Sequence, residues 1–219
     1  MTMAIAAALL AVAAAPATAG ELTATFIGNM AVHLSDGRVA LVSDFPYESG
    51  YSGYMRWSGD PLPPGPRPLC LVTHSHRDHF LPSLAAQFCG RILGPRDVEA
   101  ATRVIALGLD QPEVRWEGVT IRPLATPHAR LEHYSYVVEW NGRRLYFTGD
   151  TEDTTALLAA KGLEVAFVSP WLLRAVQKAG KRIDARTVVV YHHQDGETVP
   201  AFQDRVVPAQ GQVLRLGRN

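Results

Sequence analysis

Thr73-His74-Ser75-His76-Arg77-Asp78-His79 is the stretch that decides how this chain is read. It continues from a short apolar strand read over Leu69 to Thr73 and precedes Phe80 to Phe88, whose apolar spacing predicts a helix. His74, His76, Asp78 and His79 all carry metal-ligating groups within six positions. In a loop, His74 and His76 lie two apart and can point the same way. Asp78 and His79 can then turn toward a neighbouring point on the first helical turn. Such an arrangement serves two ions a few ångströms apart better than one. Imidazole nitrogens and carboxylate oxygens suit zinc.

The segment resembles the His-x-His-x-Asp-His signature of the metallo-β-lactamase superfamily. The resemblance implies an α+β fold, a four-layer αββα sandwich with the metals at one edge of two sheets. It also implies three further ligands, and each has a candidate in the expected order. Thr126-Pro127-His128 follows a predicted strand and is similar to the family's third histidine. Thr148-Gly149-Asp150-Thr151 ends another strand and is similar to its bridging aspartate. Tyr191-His192-His193 follows Val188, Val189 and Val190 and is similar to its last histidine. On that pattern His74, His76 and His128 hold one zinc, Asp78, His79 and His193 hold the other, and Asp150 bridges the two. His193 is preferred to its neighbour because adjacent residues on a strand face opposite ways and His193 lies farther past the apolar run. His192 is then a pocket residue behind the ligands. His133 is read either as facing the site or as a structural histidine beside Tyr134, and His33 as surface or core.

The activity implied is that of a di-zinc hydrolase in which a metal-bridging hydroxide attacks a carbonyl carbon or phosphorus. Asp78 both orients the hydroxide and holds metal. A histidine at position 76, where the di-iron redox branch carries glutamate, favours zinc. Asp150, with no cysteine among the candidate ligands, speaks against the zinc–cysteine arrangement of some β-lactamases. No Gly-x-Ser-x-Gly elbow offers a rival acyl-enzyme route. Ser135 to Asp150 is faintly similar to the lactonase-like and phospholipase-D-like branch. The substrate stays open among small esters, lactones, amides and phosphodiesters, since one fold hosts many chemistries. A non-catalytic metal-binding or sensing protein on the same fold is the alternative from another class.

The pattern elsewhere fits a layered α/β or α+β domain. Leu22 to Ile27 and Arg38 to Val42 read as paired strands turning near Asp36-Gly37. Arg96 to Leu107 reads as a helix closed by Gly108. Val119 to Leu124, Tyr134 to Trp140 and Arg143 to Thr148 read as strands, the last two joined by Asn141-Gly142, a type I′ hairpin signal. Thr154 to Lys161 and Leu172 to Ala179 read as helices, with strands at Val165 to Val168, Thr187 to Tyr191 and Val213 to Leu216. Five prolines between Gly59 and Pro68 make a stiff loop. Before it, Tyr47, Tyr51, Tyr54, Met55 and Trp57 form either an aromatic lid or rings tucked onto the core.

Apolar residues are 47% of the 219, enough for a sizeable core. Charged residues are 19% and the formal net charge is zero, so nothing favours a nucleic-acid partner, and a small molecule is the expected one. Met3 to Ala15 is apolar and Ala17-Thr18-Ala19 has the form read by signal peptidase, so residues 1–19 are expected to be a signal peptide and residues 20–219 the hydrolase domain. An uncleaved anchor is the other reading, although the run falls short of the ~20 residues that span a bilayer. Export to the periplasm or outside the cell follows, and no stable membrane anchor. Cys70 and Cys89 are expected to be buried free thiols, with pairing in an oxidising compartment the alternative.

Overall fold

In the computed structural model, residues 20–59, 62–194, 196–199 and 201–217 are described. The expected signal segment, 1–19, lies outside them. The chain runs β1 (Leu22–Gly28), β2 (Ala31–Ser35), β3 (Ala40–Ser43), β4 (Leu69–Leu71), α1 (Pro82–Phe88), β5 (Arg91–Leu93) and α2 (Arg96–Ala100). It continues through β6 (Val114–Trp116), β7 (Val119–Ala125), β8 (Tyr134–Trp140), β9 (Arg143–Phe147), α3 (Thr155–Ala159) and β10 (Leu163–Val168). It ends with α4 (Pro170–Lys178), β11 (Ala185–Val190), β12 (Arg205–Val206) and β13 (Val213–Leu216).

Two sheets form, in the orders β13-β1-β2-β3-β4-β5 and β12-β11-β10-β9-β8-β7-β6. Period-two alternation of the strands decides which side chain faces which layer. Leu145, Phe147, Val165, Phe167 and Val189 meet Phe26, Val32, Leu34, Leu41 and Leu71 between the sheets. The intervening Tyr146, Ala166, Val168, Val188 and Val190 face outward, onto Leu157 of α3 and Leu172, Leu173 and Val176 of α4. On the other sheet Val42, Cys70, Val72 and Ile92 meet Ala85 of α1 and Val98 of α2. The layers are therefore αββα, as expected from the metal motif. No helix among the described residues is long and apolar enough to cross a membrane.

Several elements depart from the expectation. Ala31–Ser35 is a strand between the two read as partners: it pairs with β1 on one side and β3 on the other. The helix expected to Leu107 stops at Ala100. Beyond it the chain lies along β5, where the Ile92 amide donates to the Ile105 carbonyl at 3.2 Å and the Leu107 amide donates to the Ile92 carbonyl at 2.9 Å. A sheet edge offers Val104 and Ile105 the extended backbone that β-branched residues prefer. Asn141-Gly142 behaves as read, with φ of 50° and 72° at the two turn positions.

Cys70 and Cys89 are bonded, which corrects the free-thiol reading. Cys70 faces the helical side of β4 and Cys89 caps α1, which brings their Cα atoms to 5.6 Å. The bond spans 19 residues and brackets the whole His74–His79 motif. A closed loop of that length is worth ~3 kcal/mol in the chain-entropy account. In a domain of this size that corresponds to a midpoint lower by ~6–12 °C. Thermal unfolding with and without a strong reductant checks it, and an unchanged midpoint would show that the bond is not holding the motif.

Candidate metal centre

Every functional side chain here stands at the end of a strand or just beyond one. His74, His76, Asp78 and His79 follow β4, His128 follows β7, Asp150 follows β9 and His192 follows β11. The ends of four strands, drawn from two sheets, thus close on one point. Their ligand atoms fall into two groups, each within 4.8 Å: His74, His76, His128 and Asp150, and beside them Asp78, His79 and His192.

The distances are those of lone pairs crowded together. His74 Nε2 lies 2.9 Å from His76 Nδ1, and His128 Nε2 lies 3.4 Å from the same atom. His79 Nε2 lies 3.1 Å from His192 Nε2 and 3.4 Å from Asp78 Oδ2. Asp150 Oδ2 is 3.3 Å from His79 Nε2 and 3.9 Å from His74 Nε2, while its Oδ1 is 3.2 Å from His192 Nε2. Asp150 thus reaches both groups. Several nitrogens and carboxylate oxygens facing a common point are what a cation satisfies, so the residues present fit a pair of divalent ions.

The position of the last histidine differs from expectation: His192 joins the cluster and His193 does not. Strand alternation does not apply, because β11 ends at Val190 and His192 takes a left-handed φ of 52°. Its amide donates to the Asn29 carbonyl at 2.8 Å, which curls the ring inward. His193 instead stacks on Phe26, with ring centres 6.4 Å apart. His33 is a core residue, 2% exposed, and burial pushes its pKa down to about 4.

His133 stands behind the cluster. The Asp150 amide donates to its Nε2 at 3.0 Å, so that nitrogen carries a lone pair and the proton sits on Nδ1. Nδ1 then donates to Thr126 Oγ1 at 2.9 Å. Burial pushes its pKa down to about 4, which keeps this neutral form. Ser135 Oγ donates to the Thr148 carbonyl at 2.6 Å and the Gly149 amide donates to the Tyr191 hydroxyl at 3.1 Å. The turn carrying Asp150 is gripped on three sides. Gly149 permits it: its φ is +61°, and a Cβ there would strike the His133 ring.

Electrostatics follow from the crowding. Burial, then the neighbouring His79, hold His74 well below the ordinary imidazole range. Burial works against ionisation of Asp150, yet His79 and His192 hold its carboxyl well below the usual range. Burial likewise opposes charge on His79, but Asp150 and Asp44 outweigh it and raise the pKa well above normal. Asp78 is also held low, against burial, by His192 and His79.

Three contributors escaped sequence reasoning. Asp44, just past β3, has Oδ2 3.3 Å from His79 Nδ1, and its Oδ1 accepts from the Thr73 amide at 2.7 Å. Asn29, in the β1–β2 turn, donates from Nδ2 to the Asp78 carbonyl at 2.7 Å. Trp171, on α4, lies edge-on to His192 at 5.0 Å. Asp44 alone carried a signal, since it too ends an apolar strand. Of the aromatic loop, Tyr54 reaches the site, 4.1 Å from His192 between ring centres, while Tyr47 is buried in the core.

No family model matches this chain. A hydroxyacylglutathione hydrolase of Rhodopseudomonas palustris is 36% identical over 84 residues, a match spanning 37% of this chain and 32% of that protein. Among solved structures, Igni18, a metallo hydrolase of Ignicoccus hospitalis, superposes with a TM-score of 0.67 at 15% identity, covering 88% of this chain and 97% of that one. The metallo-beta-lactamase fold protein YhfI of Bacillus subtilis superposes with a TM-score of 0.62 at 15% identity, covering 89% and 99%. At such identities the likeness establishes the fold alone, the metallo-β-lactamase fold.

Proposed function

We propose that this chain, having the metallo-β-lactamase fold, is a di-zinc hydrolase of a small uncharged ester, lactone or amide. One observation carries the reading. Seven donor side chains from four separate segments converge in two adjoining groups that share Asp150. A structural zinc site needs only four closed ligands around one ion. When bound, two divalent cations supply Lewis acidity and make water nucleophilic near neutral pH.

The chain's own residues do the rest. Asp78, with Oδ2 3.4 Å from both His79 Nε2 and His192 Nε2, would accept a hydrogen bond from the attacking water and so orient it. Asp150 fixes the spacing of the two groups. The rings of Tyr54 and Trp171 shield the His192 side from solvent. A cavity of about 550 Å³ opens beside His128, lined by Pro127, Ala129, Glu152 and Asp153. That volume suits a small molecule. Its acidic lining favours an uncharged substrate over a phosphodiester anion. The Cys70–Cys89 bond supports export, since such bonds persist in oxidising compartments.

The test is metal content by elemental analysis of protein purified without chelator, followed by a screen of esters, lactones, amides and phosphodiesters on loaded and stripped protein. The expected result is close to two zincs per chain and metal-dependent turnover of uncharged substrates. Failure to take up metal would overturn the site. Metal uptake without turnover would leave a metal-binding protein and overturn the hydrolase.

A further inference from the structure

The two ligand groups are not built alike. Asp78, His79 and His192 are all buried. In the other group His76 is exposed and His128 half-buried, and the cavity beside Glu152 opens onto His128.

What stands behind each group differs more. Asp44 is fully buried, 3.3 Å from His79 Nδ1. A carboxylate there keeps the His79 proton on Nδ1 and leaves the Nε2 lone pair for a cation. Asp44 is itself fixed by the Thr73 amide at 2.7 Å and hydroxyl at 3.0 Å. Asn29, also fully buried, ties two ligands of this group together: Nδ2 donates to the Asp78 carbonyl at 2.7 Å and its carbonyl accepts from the His192 amide at 2.8 Å. Among the described residues, His76 has no carboxylate within 4.0 Å of its ring nitrogens and His128 has only the shared Asp150, while His74, the buried histidine of that group, has the neutral Thr73 hydroxyl 3.0 Å from its Nδ1. Partners behind the ligands typically alter metal affinity ~10–100-fold. Ligands held in place also lose little freedom on binding, whereas an exposed His76 ring must be ordered.

Resting on the di-metal reading above, we propose that the two cations bind in sequence. The ion held by Asp78, His79 and His192, with Asp150, binds first and stays. The ion held by His74, His76, His128 and Asp150 is exchangeable and enters through the cavity beside His128. At low free metal the protein holds a single ion, so the free metal concentration sets how much of it is complete.

The experiment is a zinc titration of the stripped full chain against a chromophoric chelator. Two phases are expected, with dissociation constants at least ~10-fold apart, the size of effect that partners behind ligands produce. His76→Ala should keep the tight phase and lose the weak one, and His192→Ala should do the reverse. Asn29→Gly keeps the left-handed turn, where φ is 50°, and removes only the side chain. It should weaken the tight phase ~10-fold and spare the other. Two ions of indistinguishable affinity would overturn the order and leave the di-metal site standing. A tight phase lost in His76→Ala and kept in His192→Ala would reverse it. Absence of any binding would instead overturn the di-metal reading itself.

Discussion

On the proposed di-zinc reading, replacing His192 with alanine should lower bound zinc from near two per chain to one or fewer, whereas His193→Ala should leave both ions in place. The two residues are neighbours of one chemical type, so the pair of variants separates position from chemistry. His192 is buried, with Nε2 at 3.2 Å from Asp150 Oδ1 and 3.4 Å from Asp78 Oδ2. Removing the ring takes a lone pair from the buried group and leaves two carboxylates facing each other with less to offset them. His193 has its Nδ1 turned toward the Gln194 carbonyl and its ring on Phe26. His192→Ala should also reduce turnover of whichever ester or lactone proves a substrate by ~100-fold or more, equivalent to about 2.7 kcal/mol of transition-state stabilisation. Elemental analysis and initial rates on both variants check this. A zinc loss in His193→Ala, with His192→Ala unchanged, would show that the last ligand had been misplaced.

That one-residue question marks the limit of what the sequence shows. The motif from His74 to His79 is legible because ligand chemistry and strand-to-helix context coincide in one short segment. His128 and Asp150 are legible because each ends a strand with clear alternation, and Asn141-Gly142 fixes where that hairpin turns. The last histidine is not, because its direction depends on a left-handed residue just past a strand, held by Asn29 from the other sheet. No local pattern encodes that contact. Asn29 itself, a turn residue by every local sign, is invisible as a site residue for the same reason. The very short strands β5, β6 and β12 are read poorly because two or three residues carry no periodicity. The helix expected past Ala100 fails because pairing with β5 outweighs local propensity. Likewise the pairing of Cys70 with Cys89 follows from how α1 returns beside β4, which spacing alone does not fix.

Asp150→Asn should be the most damaging conservative change in the protein. Asparagine keeps the volume, and the backbone grip of His133 on residue 150 and of Tyr191 on Gly149 remains. What is lost is charge. Asp150 is 8% exposed and, among the described residues, is the one carboxylate within 4.0 Å of ring nitrogens from both groups. An amide can still offer one oxygen, but its nitrogen end carries protons and faces whichever group the oxygen does not. One group therefore loses a ligand and gains a donor pointed at a cation. Zinc content should fall to one per chain or less, and turnover by ~1000-fold, about 4 kcal/mol at the transition state. The far-ultraviolet circular dichroism should stay as in the parent, since the turn is held by the backbone. His133→Gln keeps an acceptor for the Asp150 amide and a donor for Thr126, and it should retain both ions. If Asp150→Asn holds two zincs at parental affinity, Asp150 is not shared between the groups, and each must then be complete without it.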